Sequence, residues 1–172
     1  FLESLVLIVE HGEDGTRGVL LNHETPWKVE ELAPGTMGPF EGSTVFLGGD
    51  AGKDTMIMVH GEDRLPGAQE IGRGVFQGGV SSAVNAVLEG ALPPDRFKFF
   101  YKTVEWLPNA LQMQVNSGVF RLVELSPAWL FGQVPREEAR ARAWWMRAES
   151  CVALPCESGD PPGCARALCR VG

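Results

Sequence analysis

The sequence predicts a mixed α+β sheet domain through about residue 134, on two observations. Hydrophobic runs of strand length are separated by short helical segments, and a glycine-rich connection follows nearly every run. The stretch Arg96–Leu125 then holds a strand (Phe97 to Thr103), a bend at Trp106-Leu107-Pro108, a helix (Asn109 to Val115) and a second strand (Val119 to Leu125). Alternation places Phe97, Phe99 and Tyr101 on one face of the first strand and Lys98, Phe100 and Lys102 on the other. Three aromatics on one side mark the middle of a core. Pro108, with no N–H and a fixed φ, ends the extension.

The remaining elements follow in chain order. Leu5-Val6-Leu7-Ile8-Val9 is a continuous aliphatic run, the pattern of a strand buried on both faces. His11 to Gly15 makes a turn that tolerates positive φ, and Gly18 to Asn22 returns as the second strand of a hairpin. Pro26 and Trp27 are expected to break extension before a turn or two of helix at Lys28 to Leu32, with loop from Pro34 to Gly42. Val45 to Leu47 and Met56 to His60 are strands joined by a flexible Gly48-Gly49-Asp50-Ala51-Gly52. After a polar loop at Gly61 to Gly67, Val75-Phe76 reads as a short edge strand. Ser81 or Ser82 is expected to cap a helix through its hydroxyl, and Gly90 to end it in the left-handed conformation before Pro93-Pro94. Ser126-Pro127 starts a helical turn carrying Trp129, Leu130 and Phe131. Pro135, with Glu137 and Glu138 in the first turn, opens the longest helix, to about Glu149. Residues 135–172 therefore read as a C-terminal extension to a domain spanning 1–134.

Composition narrows the function classes. Of 172 residues, 44% are hydrophobic and 22% charged, the balance of a folded globular chain. A net charge of −7 with no Lys/Arg run argues against nucleic-acid binding, which needs a basic stripe to neutralise phosphates. No apolar run approaches the roughly 20 residues that span a bilayer, although peripheral association with a membrane complex stays compatible. The chain opens at Phe1, directly on a strand and with no signal-peptide layout. The expectation is a soluble protein, with import into a plastid or mitochondrion left open.

Candidate chemistry is sparse. His11 and His23 flank the first hairpin, but no Cys, Asp or Glu stands at ligand spacing to complete a metal site. His60 ends a buried strand and is a candidate general base with no nucleophile to pair with it. Gly48 to Thr55 misses the phosphate-loop spacing by one residue and has Asp54 where Ser or Thr must hold magnesium, so it reads as a turn. Asp50 and Asp54 lack a third oxygen ligand at fixed spacing. No metal or cofactor is expected. All four cysteines, Cys151, Cys156, Cys164 and Cys169, fall in the extension. The turn at Glu157 to Gly163 suits nested bridges, Cys156 with Cys164 and Cys151 with Cys169, but four cysteines permit three pairings. A zinc site and free thiols are the alternatives.

The order of motifs resembles the AlgH-like family (YqgE, DUF179, UPF0301). The resemblance rests on Phe1 to Ile8, Glu10-His11, Gly15 and Gly18 to Asn22, then on Val45-Phe46-Leu47-Gly48-Gly49-Asp50, on Met58-Val59-His60, and on Phe100 to Val115. It covers roughly residues 1 to 133 and implies an α+β fold with a mixed, bifurcated β-sheet partly closed into a small barrel with flanking helices. It implies no established reaction and only a loose link to regulation. The matching positions are Asn22, Gly48, Gly49, His60, Trp106 and Leu111. Lys102, Glu105 and Asn109 replace family glycines, Ala110 replaces a Gln, and Gln112 and Gln114 replace acidic residues. These departures predict a filled hollow and lost acid–base chemistry.

Three functions follow as expectations. The first is a non-catalytic interaction domain or accessory subunit of a larger assembly. Its protein partner is reached through the C-terminal extension, with Trp129, Phe131, Trp144 and Trp145 as candidate contacts. The second is a small-ligand-binding or enzymatic domain using His60, Asn22, Asp50 and His11. The third is a transcription-related regulator, which the acidic charge disfavours.

Overall fold

The computed structural model describes residues 5–72, 74–124, 127–131 and 166–170. Its hub is β8 (Phe97–Trp106), whose alternating aromatics and β-branched residues suit a strand covered on both sides. Along one side β8 pairs antiparallel with β5 (Ala51–His60). On its other side the partner changes partway along. Phe99–Tyr101 pair in parallel with β4 (Thr44–Leu47), and Val104–Trp106 pair antiparallel with β2 (Gly15–Leu20). The sheet therefore forks along β8. One arm continues from β2 through β1 (Leu5–Gly12) to β10 (Arg166–Arg170) and β9 (Phe120–Glu124). The other carries β3 (Glu24–Lys28) on β4, while β7 (Val75–Gly78) and β6 (Ala68–Gly72) extend the sheet beyond β5. The sheet is nearly closed into a barrel, as the resemblance implied.

The fork is made by backbone approach. The Leu20 N–H donates to the Gly48 carbonyl and the Gly48 N–H to the Tyr101 carbonyl, both at 2.8 Å, so one residue stitches β2 to β8. A Cβ on Gly48 would stand 2.4 Å from the Lys102 carbonyl oxygen, and one on Gly49 only 2.1 Å from the Thr103 carbonyl. Only glycine fits there. Opposite them Lys102 takes a φ of 64°, which with Asn109 (63°) makes the two left-handed non-glycine residues among those described. Both stand where the family resemblance has glycine, and each left-handed side chain costs roughly 1–2 kcal/mol.

Three apolar clusters pack around the forked sheet. Leu7, Val9, Val19, Leu21, Val59, Val75, Phe100 and Leu130 fill the space enclosed by the sheet. Phe40, Phe97, Phe99, Met58 and Val45 pack beneath α2 (Val80–Leu88) and α1 (Val29–Leu32). Trp106, Val6, Leu20 and Leu111 pack under α3 (Ala110–Asn116). The short α4 (Pro127–Leu130) brings Leu130 to the first cluster.

Several boundaries differ from expectation for identifiable reasons. Pro26 and Trp27 lie within β3 because its register with β4 skips from Glu24 to Lys28, leaving no ladder bond for Pro26 to supply. Gly79, at φ 70°, occupies the N-cap of α2 with no side-chain cap, so Ser81 and Ser82 fall inside the helix. Val75-Phe76 is internal, not an edge, because β6 covers β7. β5 begins at Ala51, five residues early, and its register jumps between Ala51 and Met56 at the fork. The hairpin, α3 and the left-handed Gly90 match the reading. The expected helix at 135–149 and Cys151, Cys156 and Cys164 lie outside the described residues, whereas Cys169 belongs to β10, opposite Leu5.

Replacing Gly49 with Ala is expected to cost more than about 2 kcal/mol, since backbone must move to admit the methyl group. Lys102→Gly is expected to gain roughly 1 kcal/mol by relieving the left-handed strain, less the added chain entropy. Urea denaturation midpoints at unchanged m-value check both.

Candidate functional site

The residues singled out by sequence do not converge on one hollow. His60, at the end of β5, is completely buried between Phe76 (ring centroids 6.0 Å) and Phe97 (5.4 Å). Its Nε2 lies 3.1 Å from the Gly78 carbonyl, and its Nδ1 is 3.2 Å from the Glu62 N–H. A carbonyl can only accept and an amide only donate, so Nε2 carries the proton and Nδ1 accepts. Both nitrogens are thereby committed to backbone. Burial pushes the imidazole below its usual range, against smaller upward pulls from the Gly78 carbonyl and Glu62. His60 is a neutral cross-brace between β5 and the end of β7.

Asn22 stands at the opposite edge of the hairpin, its Oδ1 accepting the Leu5 N–H at 3.2 Å. Asp50 is exposed beside the fork. His11 faces its cross-strand partner Thr16, with Nδ1 and Oγ1 2.7 Å apart. His23 contributes its carbonyl to the Leu47 N–H. Among the described residues no three His, Cys, Asp or Glu side chains gather as metal ligands.

Trp106 and Leu111 do meet. Gly18 lies beneath the indole and admits β1 closely, since a Cβ there would stand 2.6 Å from Val6 Cγ1 and 2.9 Å from the Leu7 carbonyl oxygen. Phe120 packs edge-on to the indole at 5.8 Å, and Trp106 Nε1–H donates to Gln114 Oε1 at 3.0 Å. Gln114 thus satisfies the buried donor. The expectation that Lys102, Glu105 and Asn109 plug the interior is corrected in detail. Glu105 and Asn109 are exposed, Glu105 accepts the Thr103 hydroxyl at 3.1 Å, and Lys102 lies over the Tyr101 ring. The filling comes from Trp106, Leu111, Val6, Leu20 and Phe120.

Of the contact candidates, Phe131 turns toward the domain, its ring 3.2 Å from where a Gly61 Cβ would be, and packs on the cluster enclosed by the sheet. Trp129 lies in α4, and Trp144 and Trp145 fall outside the described residues.

Sequence reading passed over Lys98. It shares the face of Phe100, and its Nζ sits 4.8 Å from the Phe46 ring centroid. Burial lowers its pKa, partly offset by the charge of Glu24. The signal was present in the alternation, which set one lysine on the same face as Phe100.

Comparison with known proteins fits this geometry. The model of the family described as DUF179, AlgH-like, matches residues 1–150. The chain belongs to the AlgH-like family. A UPF0301 protein of Chlorobium phaeobacteroides is 30% identical over 148 residues, covering 84% of this chain and 74% of that protein. A UPF0301 protein of Myxococcus xanthus is 26% identical, covering 78% and 76%. The solution structure of AlgH from Pseudomonas aeruginosa superposes with a TM-score of 0.60 at 20% identity, over 87% of this chain and 86% of that one. A crystal structure from Corynebacterium diphtheriae gives 0.58 at 19%, over 78% and 76%. At these identities the structures establish the fold. The AlgH-like fold is thus shared.

His60 makes stability depend on pH. The folded state holds the proton more weakly than the unfolded chain, whose imidazole titrates near 6.5. This contribution is therefore full above about pH 6.5 and falls as pH drops toward the lower folded value, by at most about 1.4 kcal/mol per unit. His60→Gln is expected to be less stable at pH 7.5 and to show a shallower decline between pH 7 and 5 than the wild type. Urea denaturation across that range measures the difference.

Proposed function

We propose that this AlgH-like chain is a non-catalytic protein-interaction domain, an accessory subunit of a larger assembly. The observation that carries the reading is the state of His60. The imidazole at the end of β5 is neutral, wholly enclosed and bonded through both nitrogens to backbone. A general base needs a free nitrogen within reach of a substrate proton, and His60 offers none. The alternative enzymatic or ligand-binding reading draws on His60, Asn22 and Asp50, which occupy three separate environments: a core, a hairpin edge and an open loop. The regulator reading would need a basic face that a chain of net charge −7 does not supply.

Beside α3 the domain offers an apolar patch outward. Leu107 and Met113, 79% and 69% exposed, flank the Pro108 bend and α3, next to the filled Trp106 cluster. Exposed large side chains beside a rigid core suit a partner surface. The C-terminal segment bearing Trp129, Trp144 and Trp145 belongs to the same reading as a second contact.

A photo-crosslinking residue at Met113 is expected to capture one discrete partner in cells of the source organism. The same residue at Leu88, equally exposed on α2, is expected to capture none. Leu107→Glu is expected to abolish the Met113 crosslink, while His60→Gln leaves it intact. Equal labelling from both positions, or a crosslink insensitive to Leu107→Glu, contradicts the reading.

A further inference from the structure

On the outer face of the fork, Trp27 and Tyr101 meet at right angles, their ring centroids 6.4 Å apart and interplanar angle 88°. Trp27 is 40% exposed and Tyr101 half-buried, so the angle between the rings opens to solvent. Leu47 and Met56 flank Tyr101 in register from the neighbouring strands and give the corner apolar sides. Asp54 completes it. The Tyr101 hydroxyl donates to Asp54 Oδ1 at 2.6 Å, and Asp54 makes no ion pair among the described residues.

A cation already lies over the Tyr101 ring. The left-handed φ of Lys102 breaks strand alternation, so its side chain lies beside that of its predecessor, with Nζ 5.5 Å from the Tyr101 ring centroid. Aromatic faces attract ammonium groups within about 6 Å of the centroid, and a carboxylate at the rim adds charge complementarity. A compact ion with methyl groups gains more from such a corner than a lysine, whose ammonium is strongly hydrated.

We propose that Trp27, Tyr101 and Asp54 form a binding site for a small quaternary ammonium ion, with the Lys102 ammonium as a resident competitor. The site uses none of the residues on which the interaction reading depends. It requires no chemistry beyond binding.

The test titrates the purified chain with choline and, in parallel, with its neutral carbon isostere 3,3-dimethylbutan-1-ol, following the Trp27 indole and Tyr101 ring resonances by NMR. Choline is expected to shift both rings saturably in the millimolar range, with the isostere at least about fivefold weaker. Lys102→Gly is expected to tighten choline about two- to fivefold. Asp54→Asn is expected to weaken it by a similar factor, and Trp27→Ala to remove saturable binding with circular dichroism unchanged. Equal binding of choline and its isostere overturns the proposal. So does unaltered choline binding in Trp27→Ala, or no saturable shift in Lys102→Gly, the variant in which the corner is vacated.

Discussion

Everything in this fold depends on one close approach of backbone to backbone, Gly48-Gly49 against Lys102-Thr103. Two hydrogen bonds through Gly48 tie β2 to β8 where β4 leaves off. That junction lets one strand belong to two arms of a sheet. Without it, β2 and β4 would compete for the same edge of β8, and the three clusters would lose the strand they share. The left-handed Lys102 is the counterpart of the glycine pair: the bend it makes gives the partner change room, at a conformational cost that a glycine would not incur.

The same junction shapes the chemistry around it. The interior is closed by apolar packing, and two polar side chains within it finish their hydrogen bonds there: His60 with the Gly78 carbonyl and the Glu62 N–H, which ties β5 to β7, and the Trp106 indole with Gln114, which ties β8 to α3. Burying a neutral, fully bonded imidazole costs little, whereas charging it in place is expensive. Polar groups open to solvent near the junction lie on the outside, where Tyr101 meets Asp54, Lys102 and Trp27, and the half-buried Lys98 lies on the opposite face of β8.

Much of this was legible in the sequence, and what was not has a physical cause. The aromatic alternation in Phe97–Tyr101 announced the hub, because a strand's period is two whichever strands pair with it. The hairpin and Gly90 followed from turn chemistry that depends on a few adjacent residues. By contrast, Pro26 inside β3 and the early start of β5 depend on a register set by partners distant in the chain. Ser81 and Ser82 looked like caps, but Gly79 took that place through its left-handed φ. At the site, sequence marked His60 as a candidate base; only the geometry gives both its nitrogens to backbone. The Trp27–Tyr101 corner was invisible because its residues come from three separate stretches of chain. Lys102 and Asn109 read in sequence as added bulk, whereas what the structure shows at both is a left-handed backbone.

The claim that the fork at Gly48 holds the sheet together is tested most directly by native-state hydrogen exchange of the Leu20 and Gly48 amides. If the account is right, both exchange only through global unfolding, as slowly as the slowest amides of β8 and far more slowly than those of the edge strand β6. Exchange at Leu20 and Gly48 as fast as in β6, with β8 still protected, would mean that the arms open independently and that the junction is not what binds them.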